Sequence, residues 1–147
     1  MSFGIAQASL AYPVMLSREG KTWLARLPDF DDSMTQGKSR AAALDMAADL
    51  LETVVSHRIA AGLPVPRPSA TRGRPLVQLS TLSAAKLHLR DAFTAAGISQ
   101  AALARRLGQT PQQVGRLFDL RHRSAMAQID QAMRTLNRQI VVQVKAT

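Results

Sequence analysis

Side chains that can hydrogen-bond to DNA bases lie close together in the stretch GISQAALARRLGQTPQQVGRLFDLRHRS, residues 97–124. Gln can make paired hydrogen bonds to adenine, and Arg can make them to guanine, at the edge of the major groove. Gln112, Gln113 and Arg116 have the spacing to lie on the outer part of one short helix. This chemistry requires that helix to be held at a fixed angle to its neighbour, as in proteins that lay a helix into the major groove.

Capping residues predict the two short helices that would carry these side chains. Ser99 is expected to cap the first helix, and Gly108 to end it after less than three turns. Thr110 is expected to cap the second helix, with Pro111 at its first position and Gln113 completing a capping box. The apolar positions expected to face a core are Ala102, Leu103, Leu107, Val114, Leu117 and Phe118.

Groups around the two helices are also suited to DNA backbone phosphates. Amides at the helix starts, together with Gln100, can hold phosphate, and a loop at 121–123 would run beside the DNA. The alternative is a packed helical hairpin with solvated arginines, because short patterns of this kind arise by chance. The complete set of caps favours DNA binding. The predicted DNA-binding residues are Gln100, Thr110, Gln112, Gln113, Arg116, Arg121 and Arg123.

The positive charge of the chain is concentrated in its C-terminal part. The 147 residues carry a net charge of +9. Residues 84–147 contain ten Lys and Arg against three Asp and Glu, a balance of +7, whereas residues 1–83 contain nine against seven, a balance of +2. A small basic part suits a polyanionic partner. The absence of cysteine excludes disulfides and thiolate metal sites. We expect a cytoplasmic protein with no membrane span, metal or cofactor.

The N-terminal half predicts a small sheet covered by a helix. Alternating apolar residues predict strands on both sides of a turn at residues 18–21, and a short third strand at 34–36. After an acidic loop at 28–33, Ser39 is expected to cap a helix that runs to about Ala61. The apolar stripe of this helix is Leu44, Ala47, Ala48, Leu51, Val54, Val55 and Ile59.

These elements predict an α+β chain of two domains, residues 1–80 and 81–147. The proline-rich segment 62–75 connects them, and an apolar run at 76–79 can add a strand to the first sheet. In the second domain, a helix over about 84–96 precedes the two short helices. Ser124 is expected to cap a last helix with Ile129, Ala132, Met133 and Leu136 in the core.

The tail at residues 139–145 returns to strand periodicity. A single strand after four helices has no nearby partner in its own chain. Pairing with the same strand of a second subunit would cover it and place two DNA-reading helices on one duplex. The alternative is that the tail docks on its own domain. We predict a homodimer, with higher oligomers left open, through Ile140, Val142 and Val144.

The order of three segments resembles the HicB antitoxins of bacterial toxin–antitoxin pairs: YPVMLSREGKTWLARLPDF, MTQGKSRAAALDMAADLLETVV and SQAALARRLGQTPQQVGRLFDLRHRS. The resemblance spans Tyr12 to Val144, and the last segment alone resembles the Cro/cI-like repressors. It implies a β-β-β-α(-β), partly formed RNase H-like domain followed by a small all-α helix-turn-helix domain with a C-terminal strand. It also implies two partners: operator DNA, and a HicA-type toxin that cleaves mRNA with a catalytic histidine.

By the same resemblance, the surface that faces the toxin includes the strands and the acidic loop. Its residues would be Trp23, Asp29, Phe30, Asp31 and Asp32. An acidic loop is electrostatically suited to a basic, RNA-binding toxin. Many relatives carry a Pro-Gly pair after the phenylalanine, where this chain has Asp31-Asp32, and this departure bears on the conformation of the loop.

Two other classes of function remain to be weighed. The acidic residues invite comparison with two-metal nucleases. However, Asp45, Asp49 and Glu52 have the spacing of a solvated helix face, and the three histidines lie on three separate elements. We therefore expect no catalytic activity. The second alternative is a stand-alone helix-turn-helix regulator whose N-terminal domain binds a ligand or an unrelated protein.

Overall fold

The computed structural model describes residues 10–146, which divide into two compact units at Ser80 and Thr81. The first unit contains β1 (Ala11–Pro13), β2 (Met15–Glu19), β3 (Thr22–Leu27), β4 (Ser33–Gly37), α1 (Arg40–Ala60) and β5 (Leu76–Gln78). The second contains α2 (Thr81–Ala96), α3 (Gln100–Leu107), α4 (Pro111–Phe118) and α5 (Met126–Thr135). Small sheets followed by helices confirm the predicted α+β class.

The strands of the first unit pair in two antiparallel groups. One group has the order β2-β3-β4, with Trp23 opposite both Arg18 and Gly37, and the other pairs β1 with β5. The segment before the turn at 18–21 forms two strands, β1 and β2, because the chain changes partner at Val14, whose amide donates to the carbonyl of Pro75 at 2.9 Å. Alternation of apolar residues predicts which side chains of a strand face the core, but it does not predict which other strand pairs with it.

Helix α1 covers one face of the first unit's sheet. Its fully buried residues are Ala43, Ala47, Leu51 and Val55, at a spacing of four. Ser39 caps the helix as predicted, since its hydroxyl accepts a hydrogen bond from the amide of Ala42 at 3.0 Å. The predicted stripe was right at three of these positions but omitted Ala43. Half-buried residues flank the stripe on both sides: Leu44, Ala48, Val54 and Ile59.

The four helices of the second unit enclose a separate apolar core. Its buried residues include Leu89, Leu103, Ala104, Val114, Leu117, Ile129, Ala132, Met133 and Leu136. Two aromatic rings, Phe93 and Phe118, pack at its edge with their centroids 5.0 Å apart. The core predicted from apolar spacing is thus largely confirmed, although Ala104 is more deeply buried than Ala102.

The last helix begins later than the sequence indicates. Ala125, and not Ser124, is the N-cap residue of α5. Ser124 is buried, and its hydroxyl donates to the carbonyl of Arg116 at 3.4 Å. The predicted cap is therefore wrong, because the hydroxyl is turned toward the end of α4 instead of the start of α5.

The tail forms no strand pairing within the described chain. Ile140 packs against the core of the second unit. By contrast, Val141 and Val142 are each 76% exposed and Val144 is 89% exposed. An apolar segment in this state needs cover from another surface.

Candidate functional site

The caps of α3 and α4 fix the short turn between them. The hydroxyl of Ser99 accepts from the amide of Ala102 at 3.0 Å. Gly108 ends α3 in the left-handed conformation (φ +64°), which favours glycine. Thr110 and Gln113 form the predicted capping box: the threonine hydroxyl accepts from the amide of Gln113, and the glutamine Oε1 accepts from the amide of Thr110. The sequence therefore encodes the position of α4 through local hydrogen bonds.

A side-chain hydrogen bond holds α3 close to α4. The amide nitrogen Nε2 of Gln100 donates to the carbonyl of Pro111 at 2.7 Å. Gly115 makes room for this contact, because a Cβ at that position would lie 3.0 Å from the same nitrogen. Gln100, which was predicted to contact phosphate, thus braces the two helices, and its side chain remains exposed.

The residues predicted to contact DNA are exposed, but their free hydrogen-bonding groups differ. Gln112 and Arg116 lie on the face of α4 opposite its buried residues, Val114 and Leu117. Gln113 has its Oε1 in the capping box, so its side chain is held against the start of α4, whereas no hydrogen bond of this kind holds Gln112. The exposed set comprises Gln100, Thr110, Gln112, Gln113, Arg116, Arg121 and Arg123.

A buried lysine that sequence reasoning missed holds the end of α4. Lys86 is 1% exposed, and its Nζ donates to the carbonyls of Arg116 (2.9 Å), Asp119 (2.7 Å) and His122. Helix ends leave such carbonyls without partners inside the helix. Burial lowers the pKa of Lys86, although the negative charge of Asp119 opposes the shift.

A signal for Lys86 was present in the sequence. Leu82, Lys86, Leu89 and Phe93 follow one another at steps of four, three and four, so the lysine occupies a position on the apolar stripe of α2. A cation at such a position must find acceptors, because a buried ammonium without hydrogen bonds is strongly destabilising.

Asp119 fixes the loop that follows α4. Its Oδ1 accepts from the backbone amide of Arg121 at 2.9 Å and from the guanidinium Nε at 3.2 Å. Partial burial raises the pKa of Asp119, but the hydrogen bonds and charge of Arg121, with the charge of Lys86, outweigh it and lower the pKa overall. The carboxylate therefore stays ionised, and the Arg121 side chain is anchored to it.

The acidic loop of the first unit is strained and tied down. Asp31 and Asp32 both have φ of +55°, a left-handed conformation that costs a non-glycine residue about 1–2 kcal/mol. The carboxylate of Asp31 pairs with Arg58 at 3.1 Å, and that of Asp29 accepts from the amide of Ser69 at 3.0 Å. Strain of this kind clusters at functional sites.

The five residues that the resemblance assigned to the toxin surface do not form one patch. Phe30 is 2% exposed and packs on Tyr12 with ring centroids 5.0 Å apart, so its side chain anchors the acidic loop from inside the core. Trp23 lies at the other end of β3, about 15 Å along the strand from the loop. It lines a groove of about 310 Å³ with Arg40 and Arg74, and Arg18 lies 5.7 Å from its ring centroid.

The acidic residues of α1 differ in their surroundings. Asp45 and Asp49 are exposed, whereas Glu52 accepts from the amide of Ser80 at 2.6 Å. Across residues 10–146, no group of three or more histidine or acidic side chains is placed to hold a metal ion. Over the same range, no helix has both the length and the apolar character needed to cross a membrane.

Comparison with known proteins finds the same relatives over nearly the whole chain. A family model described as the HicB-like antitoxin of bacterial toxin–antitoxin systems matches residues 11–88. Antitoxin HicB 2 of Photorhabdus laumondii is 31% identical over 90% of this chain and 94% of its own length. Antitoxin HicB of Pseudomonas fluorescens is 34% identical over 86% of this chain and 88% of its own length. Antitoxin HicB of Escherichia coli K12 is 29% identical over 89% of this chain and 96% of its own length.

Proposed function

We propose a function from one premise: the chain belongs to the HicB-like antitoxin family of bacterial toxin–antitoxin systems. The proposal is that it neutralises a HicA-type mRNA-cleaving toxin and represses the operon that encodes both proteins. Residues 1–80, a partial RNase H-like domain, would bind the toxin. Residues 81–147 would bind operator DNA through α3 and α4 as a helix-turn-helix, and neither domain would catalyse a reaction.

The observation that carries the DNA-binding half is the braced pair α3 and α4. Local caps and the Gln100 contact fix α4, and Gln112 and Arg116 remain exposed on its outer face. The C-terminal part also holds most of the chain's positive charge. A rigid helix with free Gln and Arg side chains on a basic surface is the arrangement that reads bases in the major groove.

Replacing Arg116 with Ala is the test of base reading. We expect operator binding to weaken by about 1–3 kcal/mol, with relaxed preference at one base pair, because Arg contacts the guanine edge through two hydrogen bonds. Fluorescence anisotropy with DNA from the promoter of the gene pair would measure both effects. Arg134→Ala on α5 removes an equal charge and is the control. Unchanged affinity and preference would show that Arg116 reads no base.

The toxin-binding half is supported by the acidic loop. Asp31 and Asp32 are exposed at its tip, in a backbone conformation stabilised by Phe30 and Arg58. An ordered negative loop is complementary to a basic toxin and would speed its association. Trp23 and its arginine-lined groove would then be a second contact area, separate from the loop.

Removing the two loop charges tests this contact. The double variant Asp31→Asn/Asp32→Asn is suitable because Asn also tolerates the left-handed conformation. We expect toxin association to slow by about tenfold at low salt, and the difference to shrink as salt is raised. Stopped-flow binding to a catalytically inactive toxin would measure the rates. Asp45→Asn/Asp49→Asn on α1 is the matched control, and equal rates for the two double variants would exclude the loop.

The exposed tail supports a dimer. We propose that Ile140, Val142 and Val144 lie in a strand that pairs with its copy in a second subunit, which would cover the exposed valines. A monomeric mass by light scattering at micromolar concentration would contradict this assembly. A stand-alone regulator remains the second candidate function, and failure of the product of the neighbouring gene to co-purify with this chain would favour it.

A further inference from the structure

A small cavity beside α4 is bordered by polar side chains from three segments. Its volume is about 110 Å³, and its lining includes Gln113 and Arg116 of α4, His122 of the following loop and Gln128 of α5. Gln112 on the outer face of α4 is not among the lining residues. The cavity therefore lies on the flank of α4 that faces α5, next to the proposed base-reading surface. We call it the cup.

Three glutamines line the cup, and two of them, Gln113 and Gln128, have their Oε1 atoms in capping hydrogen bonds, whereas no such bond is made by Gln109. Oε1 of Gln113 accepts from the amide of Thr110 at 2.9 Å, and Oε1 of Gln128 accepts from the amide of Ala125 at 3.2 Å. Each of these two side chains has one Oε1 lone pair in use, whereas both N–H donors of its NH₂ group are available to a ligand. The guanidinium of Arg116 is a donor without an acceptor. Two N-terminal capping arrangements thus orient these two glutamines as donors.

The charge around the cup is positive, which matches the donor character of its side chains. The nearest acidic residues on the flanking segments, Asp119 and Asp130, are paired with Arg121 and Arg134. His122 places its Nδ1 3.1 Å from the hydroxyl of Ser124, which leaves Nε2 toward other partners. The NH₂ donors and the positive charge of Arg116 suit a ligand rich in acceptors, and phosphate is the anion of this kind that borders the major groove.

We propose that the cup binds one backbone phosphate of the operator, with the NH₂ groups of Gln113 and Gln128 as donors and the positive charge of the base-reading Arg116 beside them. This inference rests on the proposed DNA-binding function and adds a defined contact to it. In this arrangement the phosphate fixes the register of α4 in the groove, while Gln112 lies on the outer face toward the bases. The capping box of α4 and the contact of Gln128 with the Ala125 amide at the start of α5 then have a second purpose, which is to orient phosphate donors.

Replacing these two glutamines with glutamate tests the cup without removing the caps. Gln113→Glu and Gln128→Glu retain the Oε1 acceptors for Thr110 and Ala125, but exchange each NH₂ donor for a carboxylate oxygen. We expect the double variant to bind operator DNA at least tenfold more weakly. We also expect an equal loss on scrambled DNA and a salt dependence reduced by about one phosphate contact. The control for added charge is Gln131→Glu/Asn137→Asp, whose residues are both exposed and lie outside the tail.

A second arm uses inorganic phosphate and needs no DNA. NMR spectra of the full wild-type chain would follow the side-chain NH₂ resonances of Gln113 and Gln128 during a phosphate titration, with chloride at equal ionic strength as reference. We expect saturating shifts of both resonances. The double variant lacks these NH₂ groups, so the backbone amide resonances of residues 113 and 128 are followed in both proteins, and we expect them to shift in the wild type only.

The outcomes separate this inference from the proposed function. The first outcome is that the Gln113→Glu/Gln128→Glu variant loses no more operator affinity than its control, while Arg116→Ala still weakens operator binding. This outcome would overturn the phosphate site in the cup and leave the proposed DNA binding intact. A loss confined to one base pair would also overturn it, because the cup would then read a base edge. If the wild-type chain binds no promoter DNA, the proposed function fails. The phosphate titration then decides alone: saturating shifts support an anion site, and their absence overturns it.

Discussion

Replacing Lys86 with Met is expected to lower the free energy of unfolding of the second unit by about 3 kcal/mol. Methionine keeps most of the apolar stem but cannot donate to the carbonyls of Arg116, Asp119 and His122. Each of these groups would lose a partner at the end of α4. Urea denaturation followed by circular dichroism would measure the change. Arg106→Met, an exposed position on α3, is the control and should change stability by less than about 0.5 kcal/mol.

The same lysine predicts how stability depends on pH. Burial lowers the pKa of Lys86 below its ordinary value of 10.5, with the Asp119 carboxylate opposing the shift, whereas the unfolded chain keeps the ordinary value. At a pH between the pKa of Lys86 in the folded chain and its pKa in the unfolded chain, the unfolded chain binds more protons, so stability rises with pH. The stability that this titration contributes is therefore complete above pH 10.5, and it is lost as pH falls through the lowered pKa of the folded chain. The difference in unfolding free energy between wild type and Lys86→Met should therefore widen from pH 8 to pH 10.5. A constant or narrowing difference would contradict this assignment.

Lys86 shows which features of the site could be read from sequence. Ser99, Thr110 and Gln113 act on amides within three residues, so their types and spacing were enough to predict their contacts. The carbonyls that Lys86 holds lie 30 to 36 residues away. Its place on an apolar stripe signals an unusual residue, but the acceptors depend on how α2 packs against α4, which no local pattern specifies.

The fold of the first unit has the same division between local and long-range information. The bounds of α1 follow from the Ser39 cap and the apolar spacing. The pairing of β1 with β5 joins segments more than 60 residues apart, and strand periodicity does not identify that partner. Phe30 was assigned to a surface by resemblance alone. Only the contact with Tyr12 shows that it faces inward.

The acidic loop departs from the family pattern in both charge and backbone conformation. Where many relatives carry Pro-Gly, this chain has Asp31 and Asp32, and both adopt positive φ. Asp enters the left-handed region more readily than most side chains, and a single glycine is its usual occupant. The substitution therefore adds two negative charges at a turn whose backbone geometry favours glycine. We infer that the loop differs from a Pro-Gly loop in backbone course as well as in charge, because proline fixes φ near −65° and cannot adopt the φ of +55° that Asp31 has.

Gly37→Ala is expected to destabilise the first unit by about 3 kcal/mol, because the added methyl group has no free space. Its Cβ would lie 2.4 Å from the amide nitrogen of Ala43 and 2.7 Å from the carbonyl carbon of Ala42. Both atoms belong to the backbone of α1, so no side-chain rotation relieves the overlap. The end of β4 and the start of α1 must separate, and the buried stripe of α1 then loses contact with the sheet. Thermal unfolding would measure the effect, with Gln36→Ala, an exposed neighbour, as control.

The functional consequence of Gly37→Ala tests the division between the two domains. The proposed toxin contacts depend on the sheet and loop that α1 supports, so toxin binding should be lost above the variant's lowered unfolding temperature. Promoter DNA binding should persist at that temperature, because every proposed DNA contact lies at Gln100 or beyond. If Gly37→Ala were as stable as Gln36→Ala, this result would contradict the close packing of Gly37 against the backbone of α1. If toxin and DNA binding were lost together, the two activities would not be carried by separate domains.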